Sequence, residues 1–252
     1  MIELKTAGEI ELMRQAGQVV AELLEQLAAM ARPGLKTKEL DAAARELLRR
    51  RNAQPAFLGY RGFPAAVCVS INEEVVHGIP GERRIQDGDL VSLDAGAVVG
   101  GLYADAATTV AVGTVSPLGL RLMGTTQRAL EEGIAQMVEG NRLSDVSHAI
   151  QQVIEREGFG VVRDFVGHGI GHALHEDPPI PNFGSPHTGP RLKAGMVLAI
   201  EPMVTAGGYE VTVLRDGWTA VTKDRSLAAH FEHTVAITEQ GTTVLTMTTF
   251  DG

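Results

Sequence analysis

Residues 90 to 113, LVSLDAGAVVGGLYADAATTVAVG, place two apolar runs on either side of Gly100-Gly101. A two-residue glycine link between apolar runs is a tight hairpin signal, because such turns need positive φ. The turn sets the pairing, so Val99 should face Leu102 and Asp94 should face Ala107. Asp105 lies two residues from Ala107, on the same face as Asp94 and diagonal to it. Diagonal neighbours sit roughly 7–8 Å apart at the backbone, close enough for two carboxylates to converge on one point. Strands this apolar have buried faces. Two ionised carboxylates there repel each other, and each is costly to desolvate. They could share a proton, sit in an exposed loop, or bind a cation.

The rest of the chain reads as two halves of similar content. Ile10, Met13, Ala16, Val20, Leu23, Leu24 and Leu27 recur at helical spacing over 7–31, and Pro33-Gly34 ends that helix. Thr37 is a candidate N-cap for a second helix to about Arg51. From Ala65 to Val112 the pattern is β. Ser116-Pro117 opens a helical stretch to about Glu139, and Leu143-Ser144-Asp145 opens another to about Glu157. After Gly158 the chain returns to strands and glycine-rich loops. No linker separates the halves, approximately 1–115 and 116–252. One α+β domain over 1–252 is therefore expected.

Composition narrows the partners. The 252 residues carry 22 Lys and Arg against 31 Asp and Glu, a net charge of −9. That argues against nucleic acid, which needs a concentrated basic surface. No apolar run approaches the ~20 residues that span a bilayer, so no membrane role is expected. The opening MIELKTAGEIELMRQ has no apolar signal core. Cys68 is the one cysteine, which fits a reducing compartment and a cytoplasmic protein.

Three further segments carry chemistry. DFVGHGIGHALHEDPP, 164–179, puts His168, His172 and His175 within eight positions, separated by glycines that let backbone approach a ligand. AIEPMV, 199–204, and HFEHTV, 230–235, each set a glutamate, Glu201 and Glu232, into an apolar β-like run. Glutamate is depleted in strands and rarely buried unpaired. Asp94, Asp105, Glu201 and Glu232 together carry −4 when ionised, and two divalent cations carry +4. Neutral His168 completes a set of oxygen donors with one imidazole. Such a set suits Mn²⁺, Fe²⁺, Co²⁺ or Zn²⁺ and does not resemble a sulfur-rich structural zinc site. Two metals ~3.5–4 Å apart can hold a hydroxide and polarise a carbonyl, which is hydrolytic chemistry.

The ordered segments VCVSINEEVVHGIP, LDAG, YADAATT, GHGIGHALHE, AIEPM and WTAVTKDRSLAAHFEHT resemble type I methionine aminopeptidases of the bacterial type. The resemblance runs from about Ala7 to the C-terminal strands. It implies the pita-bread fold, a pseudo-twofold pair of helix-helix-strand halves around a central antiparallel sheet. It implies removal of the initiator methionine from nascent proteins and peptides when the second residue is small. Asp94 would chelate one metal, His168 and Glu201 the other, and Asp105 and Glu232 would bridge. A hydroxide held by the metals would attack the methionine carbonyl, with Glu201 as general base. His77 would touch the scissile amide or the leaving nitrogen, and His175 would steady the substrate carbonyl and the tetrahedral intermediate. Tyr60, Phe63, Cys68, Leu174 and Trp218 would form the methionine pocket. Phe63 stands where some relatives have tyrosine, and Leu174 where some have phenylalanine. His172 and His230 receive no role. The resemblance further implies two divalent ions (Co, Mn, Fe or Zn); proximity to the ribosome stays open, and a monomer is the default expectation.

Two rivals follow from the same residues. An X-Pro peptidase of this fold usually carries an extra N-terminal domain, for which 252 residues leave no room. A non-catalytic binding member loses metal ligands, and here all five are present.

Overall fold

The computed structural model describes residues 2–247. Four helices and a nine-stranded sheet position the site. Helix α1 spans Ala7–Met30 and opens on a capping box. Thr6 accepts the Glu9 N–H while Glu9 accepts the Thr6 N–H, which satisfies two otherwise orphaned donors. Helix α2 spans Thr37–Arg50. Thr37 is its first residue and not its cap. The cap is Lys36, whose N–H donates to Glu39, while the Thr37 hydroxyl exchanges hydrogen bonds with Gly81. Helix α3 spans Pro117–Ala135 with Ser116 as cap, shorter than the sequence pattern suggested because the chain turns at Gln136. Helix α4 spans Leu143–Arg156. Among the described residues no helix is long and apolar enough to cross a membrane.

The sheet runs Gln54–Pro55, Leu90–Val99, Leu102–Ala111, Glu232–Thr238, Val197–Ile200, Gly167–Gly169, Glu176–Ile180. Val67–Ile71 also pairs with Leu90–Val99, and Gly241–Val244 with Glu232–Thr238. Its ladders are antiparallel. The hairpin register is the expected one: Val99 opposes Leu102 and Asp94 opposes Ala107. Gly100 and Gly101 take φ of 60° and 84°, which only the two glycines adopt without strain.

One face of the sheet is covered by helices in two clusters. Val91, Leu93, Ala95 and Ala97 pack with Val20, Leu23, Leu27, Leu40 and Leu47 of α1 and α2. Leu198, Ile200, Val235 and Ile237 pack with Leu122, Leu130, Val146 and Ile150 of α3 and α4. Each half therefore uses its own helix pair to bury its own strands. The halves meet where Glu232 and His233 pair with Ala107 and Ala106. That short seam aligns carboxylates more than 120 residues apart in the chain.

Candidate active site

Two rows crossing the seam build the site. In the first, Cys68 opposes Asp94, Asp94 opposes Ala107, and Ala107 opposes Glu232. In the second, Thr234 opposes Ala199, and Ala199 opposes His168. Asp105 joins this row through Thr234, whose hydroxyl accepts the Asp105 N–H at 3.1 Å and lies 2.7 Å from the Asp105 carbonyl oxygen. Directly opposed residues of antiparallel strands share a face, as do residues two apart along a strand. Asp94, Asp105, Glu232 and His168 therefore project from one face, opposite the helices. Glu201 follows the strand end at Ile200 and reaches the same cluster. Alanines 107 and 199 lie between the ligand-type residues and leave the space above them open.

The cluster is tight and buried. Ligand atoms of Asp105, His168 and Glu232 lie within 4.8 Å of one another. His168 Nε2 is 3.5 Å from both Asp105 Oδ2 and Glu201 Oε1. Its Nδ1 lies 2.9 Å from the Gly169 carbonyl oxygen. A carbonyl can only accept, so Nδ1 carries a proton and Nε2 points into the cluster. That is the arrangement in which a backbone acceptor orients an imidazole ligand.

Burial raises the Asp94 carboxyl well above its ordinary range, and the charges of Asp105 and Glu201 add to it. Burial does the same to Glu232, reinforced by Asp105, Glu201 and Asp94. Burial and Asp105 lift Glu201 to about 8. Burial opposes charge on His168, but Asp105 and Glu201 outweigh it and raise the ring to about 9. Four carboxylates crowded around one imidazole are thus short of positive charge. Asp94 Oδ1 is buried without a protein hydrogen-bond partner, and an uncompensated buried acceptor is costly. A divalent cation answers both deficits. Oxygen donors with one imidazole are the donor set that hard and borderline divalent metals prefer. The residues fit the metals that the sequence resemblance implies.

A cavity of about 150 Å3 opens over the cluster. All the candidate residues line it: Asp94, Asp105, His168, Glu201 and Glu232 with His77, His175, Tyr60, Phe63, Cys68, Leu174 and Trp218. Phe63 meets Trp218 edge to face at 5.1 Å, an arrangement aromatic quadrupoles favour. His175 Nδ1 is 2.9 Å from the Tyr60 hydroxyl, and its ring lies 4.2 Å from that of His168. Burial, then the neighbouring His168 charge, lowers His175 to about 4. His77 stands edge-on to Phe165 at 5.3 Å, and burial lowers its ring as well. Its φ of 61° is a left-handed conformation that a non-glycine residue holds only under constraint.

Sequence reasoning missed four neighbours. Phe57 and Arg61 also line the cavity. His230 is buried, with Nε2 3.7 Å from Glu201 Oε2 and without a hydrogen-bond partner for that nitrogen among the described residues. Burial pushes it down to about 3, so it stays neutral. Thr234 holds Asp105. His230 was given no role in the sequence reading, although a histidine in an apolar run two residues before Glu232 is a signal for one. Arg61, between glycines on an exposed turn, carries no such signal.

The chain belongs to metallopeptidase family M24, whose profile matches residues 11–239. Within that family it falls among the methionine aminopeptidases. It is 51% identical over 248 residues to the methionine aminopeptidase of Clostridium acetobutylicum, covering 98% of this chain and 99% of that one. The crystal structure of methionine aminopeptidase from Thermotoga maritima superposes with a TM-score of 0.96 at 50% identity, covering 98% of this chain and all of that one. The prolidase from Pyrococcus furiosus shares the fold alone, with a TM-score of 0.78 and 24% identity. The match covers 97% of this chain but 65% of that prolidase. The pita-bread fold expected from the sequence is the one observed.

Proposed function

We propose that this enzyme releases N-terminal methionine from peptides and nascent chains whose second residue is small. Two divalent ions would be held by Asp94, Asp105, His168, Glu201 and Glu232. The observation that carries the reading is one cavity in which an apolar, partly aromatic wall adjoins the carboxylate cluster, joined at the ladder pair Cys68–Asp94. When bound, the ions (Co, Mn, Fe or Zn) supply a nucleophile at neutral pH and polarise the scissile carbonyl.

The chain's own groups divide the remaining work. Tyr60, Phe63, Cys68, Leu174 and Trp218 seat an unbranched thioether side chain, and Phe57 closes the wall. The edge-to-face pair Phe63–Trp218 limits the side chain that fits. With the Tyr60 O–H donated to His175 Nδ1, 2.9 Å away, His175 Nε2–H would be the donor toward the substrate carbonyl oxygen. A neutral imidazole is the right form for that donation, and the lowered His175 supplies it. His77, which lines the same cavity, would touch the scissile amide or the leaving nitrogen. Glu201 accepts a proton at a carboxylate oxygen and passes it to the leaving amine. Neutral His230 beside Glu201 Oε2 adds no competing charge. We take the two halves as one catalytic domain. We place the enzyme in the cytoplasm, which an unpaired Cys68 supports, and take it as a monomer that meets nascent chains near the ribosome.

The test is metal add-back after chelation. Mn²⁺, Co²⁺, Fe²⁺ or Zn²⁺ is returned singly, and release of the first residue is followed from Met-Ala-Ser, Met-Lys-Ser, Ala-Pro-Ser and N-acetyl-Met-Ala-Ser. Metal-dependent release from Met-Ala-Ser alone, abolished in Asp94→Asn, supports the reading. Cleavage of Ala-Pro-Ser instead makes this an X-Pro peptidase, and no cleavage with any metal makes it a binding protein.

A further inference from the structure

Lys5 is a buried lysine just ahead of α1, its side chain 1% exposed. Its ammonium lies 2.7 Å from Glu176 Oε2 and 3.4 Å from the Glu3 carbonyl oxygen. The other Glu176 oxygen accepts the Ala173 N–H at 3.0 Å. One carboxylate therefore ties the N-terminal segment to the inside of loop 171–175. That loop joins Gly167–Gly169 to Glu176–Ile180 and carries Leu174 and His175 into the cavity. Gly171 makes the passage: a Cβ there would stand 1.9 Å from Lys5 Cε and 2.7 Å from Nζ. Lys5 is itself anchored, its N–H donating to the Gly195 carbonyl at 2.7 Å.

Stability alone does not account for this pair. Desolvating two charges costs about what their attraction returns, and apolar residues of similar volume often serve as well. An ion pair with fixed hydrogen bonds adds direction, because an ammonium and a carboxylate meet in few geometries. The loop's other ties are Tyr103 N–H to the Gly171 carbonyl at 2.8 Å, the His175–Tyr60 contact at 2.9 Å and the packing of Leu174 in the core, and none of these reaches the N-terminal segment. A second pair, His172 Nε2 to Glu9 Oε1 at 3.0 Å, links the same two segments but is open to solvent. Exposed pairs contribute little.

We propose that Lys5 is a positioning residue: paired with Glu176, it sets loop 171–175 so that His175 and Leu174 keep their places in the cavity. The inference rests on the roles proposed above for His175 and Leu174.

The full-length enzyme, loaded with Mn²⁺, is compared with Lys5→Met, Lys5→Met/Glu176→Gln and His172→Gln on Met-Ala-Ser, below every melting transition. Lys5→Met is expected to lower kcat on the order of 100-fold with a smaller rise in KM, as displacement of a reacting group by about 1 Å does. The double variant removes the stranded carboxylate charge while keeping the Ala173 contact. It should recover melting temperature but not kcat. His172→Gln should match the wild type in kcat. On chelated protein, histidine ring NMR signals report the loop without metal. Those of His175 should shift in both Lys5 variants and not in His172→Gln. Wild-type kcat in Lys5→Met, unshifted His175 signals, or recovery of kcat with stability in the double variant overturns the proposal. Failure of the wild type on Met-Ala-Ser overturns the proposed function instead, and the NMR comparison still decides the positioning role.

Discussion

Gly78→Ala should disable the enzyme while leaving metal binding intact. Gly78 packs against the Val67–Ile71 strand so closely that a Cβ would stand 2.2 Å from the Val69 carbonyl oxygen and 2.8 Å from its carbon. Carbon–oxygen contacts settle near 3.3 Å, so relief needs a movement of about 1 Å. The Val67–Ile71 strand is paired along five residues with Leu90–Val99 and is buried throughout, so it resists. The segment carrying His77 is held to it by two bonds, Val69 N–H to the Gly78 carbonyl and Gly78 N–H to the Ser70 hydroxyl. That segment should give way and carry His77 with it. A shift of about 1 Å in a group acting on the scissile amide costs on the order of 100-fold in kcat/KM. Overpacking should also lower stability by about 1–3 kcal/mol, a few degrees of melting temperature in a chain this size. The assay is release of methionine from Met-Ala-Ser, with Mn²⁺ affinity by calorimetry and a melting curve beside it. None of the five proposed ligands lies on the displaced segment, so metal affinity should hold. Wild-type kcat/KM with an unshifted melting curve would refute the close-packing argument. Loss of activity traced to loss of metal would refute the assignment of the effect to His77.

Three further outcomes are expected. Gly17→Ala should destabilise by about 1–3 kcal/mol in urea unfolding, although alanine is the better helix former, because its Cβ would stand 2.2 Å from the Leu245 carbonyl; increased stability would contradict this. Phe63→Ala should raise KM for Met-Ala-Ser about tenfold or more with less change in kcat, since it removes a pocket wall packed on Trp218; a loss confined to kcat would count against the pocket. The chelated protein should melt lower as pH rises from about 6.5 to 8. Asp94, Glu232, Glu201 and His168 all bind protons more tightly folded than unfolded, so their contribution is greatest at low pH and is lost as pH rises. Buried His77, His175, His230 and His233 act in the opposite sense, mainly below about pH 6.5, and their effect fades as the unfolded imidazoles lose their protons above it. Metal should abolish the trend, and a chelated protein equally stable across the window would show that the cluster is not short of positive charge.

Much of the fold was legible because it is local. The hairpin register follows from a two-glycine turn and side-chain alternation, and it placed Asp94 against Ala107 before any tertiary contact was known. Helix starts at Ser116 and the stop before Pro33 follow from caps and from proline chemistry. Cap details were less secure: Lys36 holds the cap position without a side-chain acceptor, its N–H bonded to Glu39, and the Gly81 contact that engages Thr37 comes from a distant segment.

The sequence by itself determined the hairpin, the four helices, and the oddity of Glu201 and Glu232 within apolar runs. The ordered motifs then identified the family those residues belong to. Only the tertiary structure decided that Glu232 lands opposite Ala107, that Thr234 bonds Asp105, that neutral His230 sits beside Glu201, and that Lys5 passes beneath Gly171 to Glu176. The reason is physical. Periodicity and turn chemistry act over a few residues and can be read along the chain. Pairings between segments tens to more than a hundred residues apart are set by how strands and helix-backed halves pack, and no local pattern encodes which side chains then meet.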